Sequence, residues 1–274
     1  PHISPPYCYR CPATDHDGCG ERYAAELERA ILDAGAGRVA AFIAEPVIAS
    51  VGGAIAPPDD YFPLVREICD RYGVLLIVDE VVTGFGRTGT PFAIDRWGVV
   101  PDMIAMGKGI SGGYAPLGAV AVREPHRDAF RRSGSSFEHI FTFGGNPVSM
   151  AAGLAVLDIL DREGLLTRAA AMEPAFRAAL EPLRAWGFVG DIRVRGLMAG
   201  IELVRDRATK EPFELADGVA VRLREAGLPQ VRHPRHPGAL GLGEVPDQVR
   251  SPVAVPDHPD VDHRLPFMPR PGRV

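Results

Sequence analysis

The chain has 274 residues, 46% of them hydrophobic and 24% charged, with a formal net charge of −5. These are ordinary values for a soluble globular protein that can bury a sizeable core, and the acidic balance argues against a nucleic-acid footprint. No apolar run approaches the roughly 18–20 residues that a membrane-spanning helix needs, so neither nucleic acid nor membrane is expected as a partner.

The opening Pro1-His2-Ile3-Ser4-Pro5-Pro6 has no charged-then-apolar leader and reads as the interior of a longer sequence. The expected location is the cytoplasm. Residues 1–20 are rich in Pro, Cys and Gly and read as loop. They hold Cys8, Cys11 and Cys19, a C-x2-C pair with a third cysteine eight positions on. His16 could serve as the fourth ligand that a zinc site usually needs, and a disulfide framework is not expected in a cytoplasmic chain of this size. No metal is assigned.

From Glu21 to Leu32 the apolar spacing is helical (Tyr23, Ala24, Leu27, Ala30, Ile31). Arg38–Ala44 is then a continuous apolar run that stops at Glu45-Pro46, as a strand covered on both faces of a parallel sheet would. The pattern returns. A helix is expected from Asp60 to Tyr72, with Cys69 as a small core residue, and a strand over Val74–Val78 stops at Asp79-Glu80. A third strand, Asp102–Met106, stops at Gly107-Lys108, and a fourth covers Leu117–Val122. Alternating helices and strands indicate an α/β sheet. Glu45, Asp79 and Lys108 each follow the carboxyl end of a strand, the edge at which open α/β sheets bind ligands.

Helices are expected over Pro147–Leu160 and Leu165–Trp186, two short glycine-interrupted strands over Ile192–Val204, and a further helix over Asp217–Ala226. Trp97 and Trp186 read as packing residues. His126 and His139 have no evident catalytic partner. Residues 229–274 carry many Pro, His and Arg and no sustained period, so disorder is expected there, consistent with a tail that is not the natural continuation.

The chemistry sits in three residues. A lysine between glycines, Lys108, leaves its amine uncrowded. Asp79, at the end of a buried strand, needs a cationic partner to offset poor solvation. A pyridoxal phosphate enzyme requires this pair: an amine that forms a Schiff base and shuttles a proton, and a carboxylate that keeps the pyridine nitrogen protonated. Taken singly, each has a plainer alternative, Asp79-Glu80 as a helix cap or metal ligand and Lys108 as a solvated loop residue.

The run Val78-Asp79-Glu80-Val81-Val82-Thr83-Gly84-Phe85-Gly86-Arg87-Thr88-Gly89, followed by Pro101–Ala119 with Met106-Gly107-Lys108-Gly109, resembles the cofactor-attachment signature of class-III aminotransferases. Glu45-Pro46-Val47, Thr142–Pro147 and Gly196–Leu203 match further blocks of that family in order, and the resemblance covers roughly residues 5–228. It implies fold-type I, an α/β fold with a mostly parallel sheet. Residues 1–165 would be part of the large cofactor-binding domain, 166–228 part of a small α+β domain, and 229–274 the tail.

The resemblance further implies pyridoxal 5'-phosphate as cofactor and a role for each matched residue. Lys108 would be the Schiff-base lysine and Asp79 the partner of the ring nitrogen. Val81 would pack on the ring, and Glu45 would support the polar network. Thr142 would reach the phosphate of a neighbouring subunit, which implies a homodimer with shared sites. Val82 stands where many members carry a Gln that contacts the ring hydroxyl, and Ser50 where 4-aminobutyrate and ornithine branches carry a second Glu. These departures lean toward transfer from an amine or ω-amino acid to a 2-oxo acid such as pyruvate. The same residues would serve a related aminomutase or decarboxylase, or a truncated remnant that only dimerises. Tyr114 divides between loop shaping and substrate contact, and Arg87 reads as structural. The family's amino-terminal segments, with the phosphate-binding turn and the second ring-stacking aromatic, are not matched here, and the expected sheet is four of seven strands.

Overall fold

The computed structural model describes residues 1–12, 18–214, 217–219 and 222. His16, most of the expected helix over 217–226 and the whole of 229–274 lie outside them. The elements below belong to the unit Pro1–His236.

The chain forms α1 (Cys19–Ala34), β1 (Ala41–Ala44), α2 (Tyr61–Tyr72), β2 (Leu75–Asp79), β3 (Met103–Met106), β4 (Ala119–Val122), α3 (Glu124–Ser133), α4 (Pro147–Arg162), α5 (Leu165–Leu180), β5 (Val189–Arg195), β6 (Met198–Asp206) and the short β7 (Glu211–Pro212). The first four strands make one sheet in the order β1-β2-β3-β4. β1, β2 and β3 run parallel, and β4 returns antiparallel beside β3. The fold is α/β, as the strand–helix alternation requires.

The helices form where the apolar spacing allows. α1 buries Tyr23, Ala24, Leu27 and Ile31, and α2 buries Tyr61, Phe62, Val65, Ile68 and Cys69. The two stripes meet each other and the sheet face of Phe42, Ala44, Leu76 and Val78 to make the main core. Trp97 joins it edge-on to Phe62 while its Nε1 donates to Pro58 O at 3.1 Å. Each fully buried Leu, Ile, Val or Phe here contributes about 1.5–3 kcal/mol. α2 stops at Gly73, whose φ of +65° suits a left-handed helix end.

The structure differs from the sequence reading at four points. The apolar strands are covered on one face only by the described residues. Leu76 and Val78 are buried, whereas Ile43 on the other face is 60% exposed. The helix α3 was not expected, because its mean composition is strongly polar and none of its residues is buried. The helix from Leu165 ends at Leu180 and continues only as a 3-10 turn, Glu181–Ala185, because Pro182 lacks the amide an α-helix would use. Trp186 is no core residue; it stacks obliquely on Phe188 and is 46% exposed.

β5 and β6 form an antiparallel hairpin with a small core of Val189, Ile192 and Val194 covered by α5. The hairpin's turn is pressed onto the loop after β2. Leu197 N donates to Arg87 O at 3.0 Å, and Gly196, at φ +55°, lies so close to the Thr88 backbone that a β-carbon would collide with it. Among the described residues no helix is long and apolar enough to cross a membrane.

Candidate functional site

Because β1, β2 and β3 are parallel, their carboxyl ends share one edge. Ala44 pairs with Val78, so Glu45 and Asp79 leave neighbouring strands at the same level. Asp79 pairs in turn with Ala105, three residues before Lys108. Register alone therefore gathers the three expected residues on the sheet's ligand edge.

Glu45 is half-buried, and its Oε2 accepts from Ala49 N at 3.1 Å, which closes the turn after β1. Asp79 is half-buried, and its Oδ1 accepts from Val81 N at 3.0 Å. That bond fixes the carboxylate and leaves Oδ2 without a hydrogen bond among the described residues. Such a half-buried carboxylate suits a cationic partner.

Lys108 opens a 3-10 turn, Lys108–Ser111, and is exposed. Its φ is +41°, a left-handed conformation that costs a non-glycine residue about 1–2 kcal/mol. The surroundings enforce it. Ile110 N donates to Gly107 O at 3.1 Å, Ser111 Oγ donates to Ala115 O at 2.6 Å, and α4 packs against the turn. Strain of this kind persists only where neighbouring structure over-determines it, and it gathers at functional sites.

Val81 lies where β2 and β3 end, and a β-carbon on Gly107 would stand 3.2 Å from Val81 Cγ1. Val82 is half-buried beside it. Thr142 is exposed in the loop between α3 and α4, between Phe141 and Phe143, which are 65% and 80% exposed. Within one chain its side chain makes no hydrogen bond to the edge among the described residues. Tyr114 is 78% exposed, and Arg87 contributes its backbone carbonyl to the hairpin contact described above.

Two acids matter in ways the motif alone does not reveal. Glu80 is fully buried; Oε1 accepts from Ile94 N at 2.9 Å and Oε2 from the Thr83 hydroxyl. Burial pushes its pKa up against those hydrogen bonds. Its work is to hold the loop that carries Val81 and Val82. Asp102, 5% exposed at the amino end of β3, accepts from Leu76 N at 2.8 Å and pairs with Arg66 at 2.8 Å. It also meets His126 Nε2 at 2.9 Å, which supplies the partner that His126 lacked in the sequence. This cluster sits at the edge opposite Lys108 and ties α2 and α3 to the sheet. His139 lies edge-on to Phe137 and Phe141 in the exposed loop. Among the described residues no group of three or more His, Cys, Asp or Glu is arranged to hold a metal.

Comparison with known proteins identifies the relatives of this chain. The family model described as aminotransferase class-III matches residues 2–234. An adenosylmethionine-8-amino-7-oxononanoate aminotransferase of Geobacter sulfurreducens is 44% identical over 223 residues, which is 80% of this chain and 49% of that protein. A taurine–pyruvate aminotransferase of Bilophila wadsworthia is 42% identical over 227 residues, 80% of this chain and 50% of that protein. The crystal structure of an (S)-enantioselective omega-transaminase from Thermomicrobium roseum superposes with a TM-score of 0.79 at 40% identity, covering 84% of this chain and 52% of that one. The chain spans about half the length of the curated relatives it matches.

Proposed function

We propose that this chain, which belongs to the class-III aminotransferase family, carries the lysine and the acid of a pyridoxal phosphate transaminase site. The reaction is transfer of an amino group from an amine or ω-amino acid to a 2-oxo acid such as pyruvate. The observation that carries the reading is the pairing of Asp79 with Ala105 across parallel strands, with Lys108 held in a strained turn just beyond.

When bound, pyridoxal phosphate supplies an aldehyde that captures amines and a ring that accepts electrons. Asp79 Oδ2 would accept a hydrogen bond from the protonated ring nitrogen and so keep the proton on that nitrogen. Val81, backed by Gly107, gives the ring a flat apolar support, and Val82 extends it. Lys108 Nζ would hold the cofactor, and its amine is the group that would carry a proton in the transfer. Glu45 supports the polar side of the site. Thr142 would serve the phosphate in a second copy, and the working unit would then be a homodimer. The expected location is the cytoplasm.

Taurine, the donor in the name of one relative, is a terminal amine, and Ser50 offers no acidic partner for an arginine-based specificity switch. A donor with its amine on an unbranched chain end therefore suits this site best. The test is alanine formation from pyruvate with taurine or putrescine and added pyridoxal phosphate. Slow alanine formation above that of free cofactor, abolished in Lys108→Ala, is expected; rates equal in the two chains would overturn the proposal.

A further inference from the structure

The three cysteines that the cofactor edge does not use converge at one point. Cys8 belongs to the short helical turn Cys8–Arg10, Cys11 follows it directly, and Cys19 opens α1. Cys11 and Cys19 are 6% and 2% exposed, and their sulfurs lie 2.9 Å apart. Cys8 is half-buried and shares a hydrogen bond with the Cys19 thiol. A disulfide has a sulfur–sulfur bond of about 2.05 Å, so Cys11 and Cys19 need to approach by less than about 1 Å, within the reach of side-chain torsions.

This cluster lies beneath a strap that joins two parts of the fold. Tyr23 Oη, from α1, donates to Tyr7 O at 3.2 Å. On the strap's other side Tyr7 Oη donates to Glu202 Oε2 at 2.9 Å, and Arg10 pairs with Glu202 at 2.7 Å. Lys210 Nζ donates to Tyr9 O at 2.6 Å, and the Arg193 guanidinium lies 4.7 Å from the centre of the Tyr7 ring. Residues Tyr7–Cys11 are therefore held between α1 and the β5–β6 hairpin, with the sulfurs at the α1 end.

We propose that Cys11 and Cys19 are a redox modification site, closing reversibly into a disulfide that fixes this strap to α1. The oxidant is a low-molecular-weight disulfide. Burial pushes the Cys19 thiol up to about 12, which makes direct attack by it on an outside reagent slow. Burial raises the Cys8 thiol too, so Cys8 provides the entry by its position, as the most accessible of the three. Its thiolate attacks the external disulfide and displaces one small thiol. Cys19 then attacks the Cys8 sulfur and displaces the second small thiol. Cys11 finally attacks Cys19 and returns Cys8 to its thiol form. In sum, two protein thiols and one external disulfide give one protein disulfide and two small thiols. Two electrons and two protons pass from Cys11 and Cys19 to the released thiols.

The test is incubation of the folded 274-residue chain with oxidised glutathione, alkylation of remaining thiols, and tryptic mass mapping. Cys11 and Cys19 fall in one tryptic peptide, Cys11–Arg22, while Cys8 and Cys69 fall in others. The expected result is a Cys11–Arg22 peptide lighter by two hydrogens and unalkylated, with Cys8 and Cys69 alkylated, and full reversal by dithiothreitol. Trypsin should also cut the folded, oxidised chain after Arg10 several-fold more slowly than the reduced chain, a difference absent from Cys11→Ala and Cys19→Ser. Four alkylated cysteines after prolonged incubation would overturn the proposal. So would a lasting glutathione adduct on Cys8 with no internal link, or a link that forms only in urea.

Discussion

Val81 and Gly107 touch where β2 and β3 end: a β-carbon on Gly107 would stand 3.2 Å from Val81 Cγ1. Gly107 is in extended backbone, φ −167°, so it is not required there for its conformational freedom. Its missing side chain is what lets Val81 pack where it does. Gly107→Ala is expected to displace Val81 by a few tenths of an ångström. The fold should lose only about 1 kcal/mol, while cofactor capture falls several-fold. Denaturant titration and a pyridoxal phosphate binding isotherm on the same protein separate the two effects.

Lys108 is predicted to be a residue the fold would rather not have. Its φ of +41° suits glycine, so Lys108→Gly should be more stable than Lys108→Ala by about 1 kcal/mol. Both variants should lose cofactor attachment completely. Equal denaturation midpoints for the two would show that the turn relaxes when the lysine is removed, and the strain argument would fail.

Asp102 sets an acid limit on stability. Burial alone would raise its pKa, but the hydrogen bonds from Leu76 N, His126 and Arg66 outweigh it and hold the carboxyl below its usual 3.8. The folded state therefore binds the proton less readily than the unfolded chain. This contribution is fully present above the unfolded value of 3.8 and is lost as pH falls through the lower folded value. Asp102→Asn should destabilise the protein at neutral pH by about 2–4 kcal/mol, since Arg66 loses its buried partner. It should also flatten the acid limb of a melting-temperature profile below about pH 4, where the folded carboxyl takes up its proton. A variant with an unchanged acid limb would contradict the assignment.

Gly196 joins the hairpin to the loop that follows β2. A β-carbon would meet the Thr88 backbone, and the residue sits at φ +55°. Gly196→Ala is expected to cost about 2 kcal/mol or more. Hydrogen exchange should show the loss of protection concentrated at the Leu197 amide, which donates to Arg87 O. Uniform loss of protection would point to global destabilisation instead.

Much of this was legible in the sequence, for a physical reason. Strands of a parallel sheet are apolar runs, so the residues at which they stop, Glu45, Asp79 and Lys108, stand out and share an edge by topology. The helices α1 and α2 declared themselves through the spacing of residues such as Tyr23, Leu27, Phe62 and Val65. Other features had no such signal. In α3 only Ala129 and Phe130 are hydrophobic and no residue is buried, so it offers no apolar stripe to read. The partner of His126 is 24 residues away, at the start of another strand. The buried role of Glu80 depends on Thr83 and on Ile94 N, 14 residues on, which only the folded loop brings together. The reading of the strands as covered on both faces came from apolar character alone, and within this chain the described helices cover one.

The attachment of pyridoxal phosphate to Lys108 is the claim on which the functional reading rests. The direct measurement is incubation with the cofactor, borohydride reduction to make the attachment permanent, and peptide mass mapping. Because Lys108 is exposed, capture by this chain should be weak and need excess cofactor. The modified peptide should nevertheless be the one containing Lys108, and Asp79→Ala should reduce its yield several-fold. Lysine 210 is the only other lysine in the chain; equal labelling of Lys108 and Lys210, unaffected by Asp79→Ala, would contradict the account.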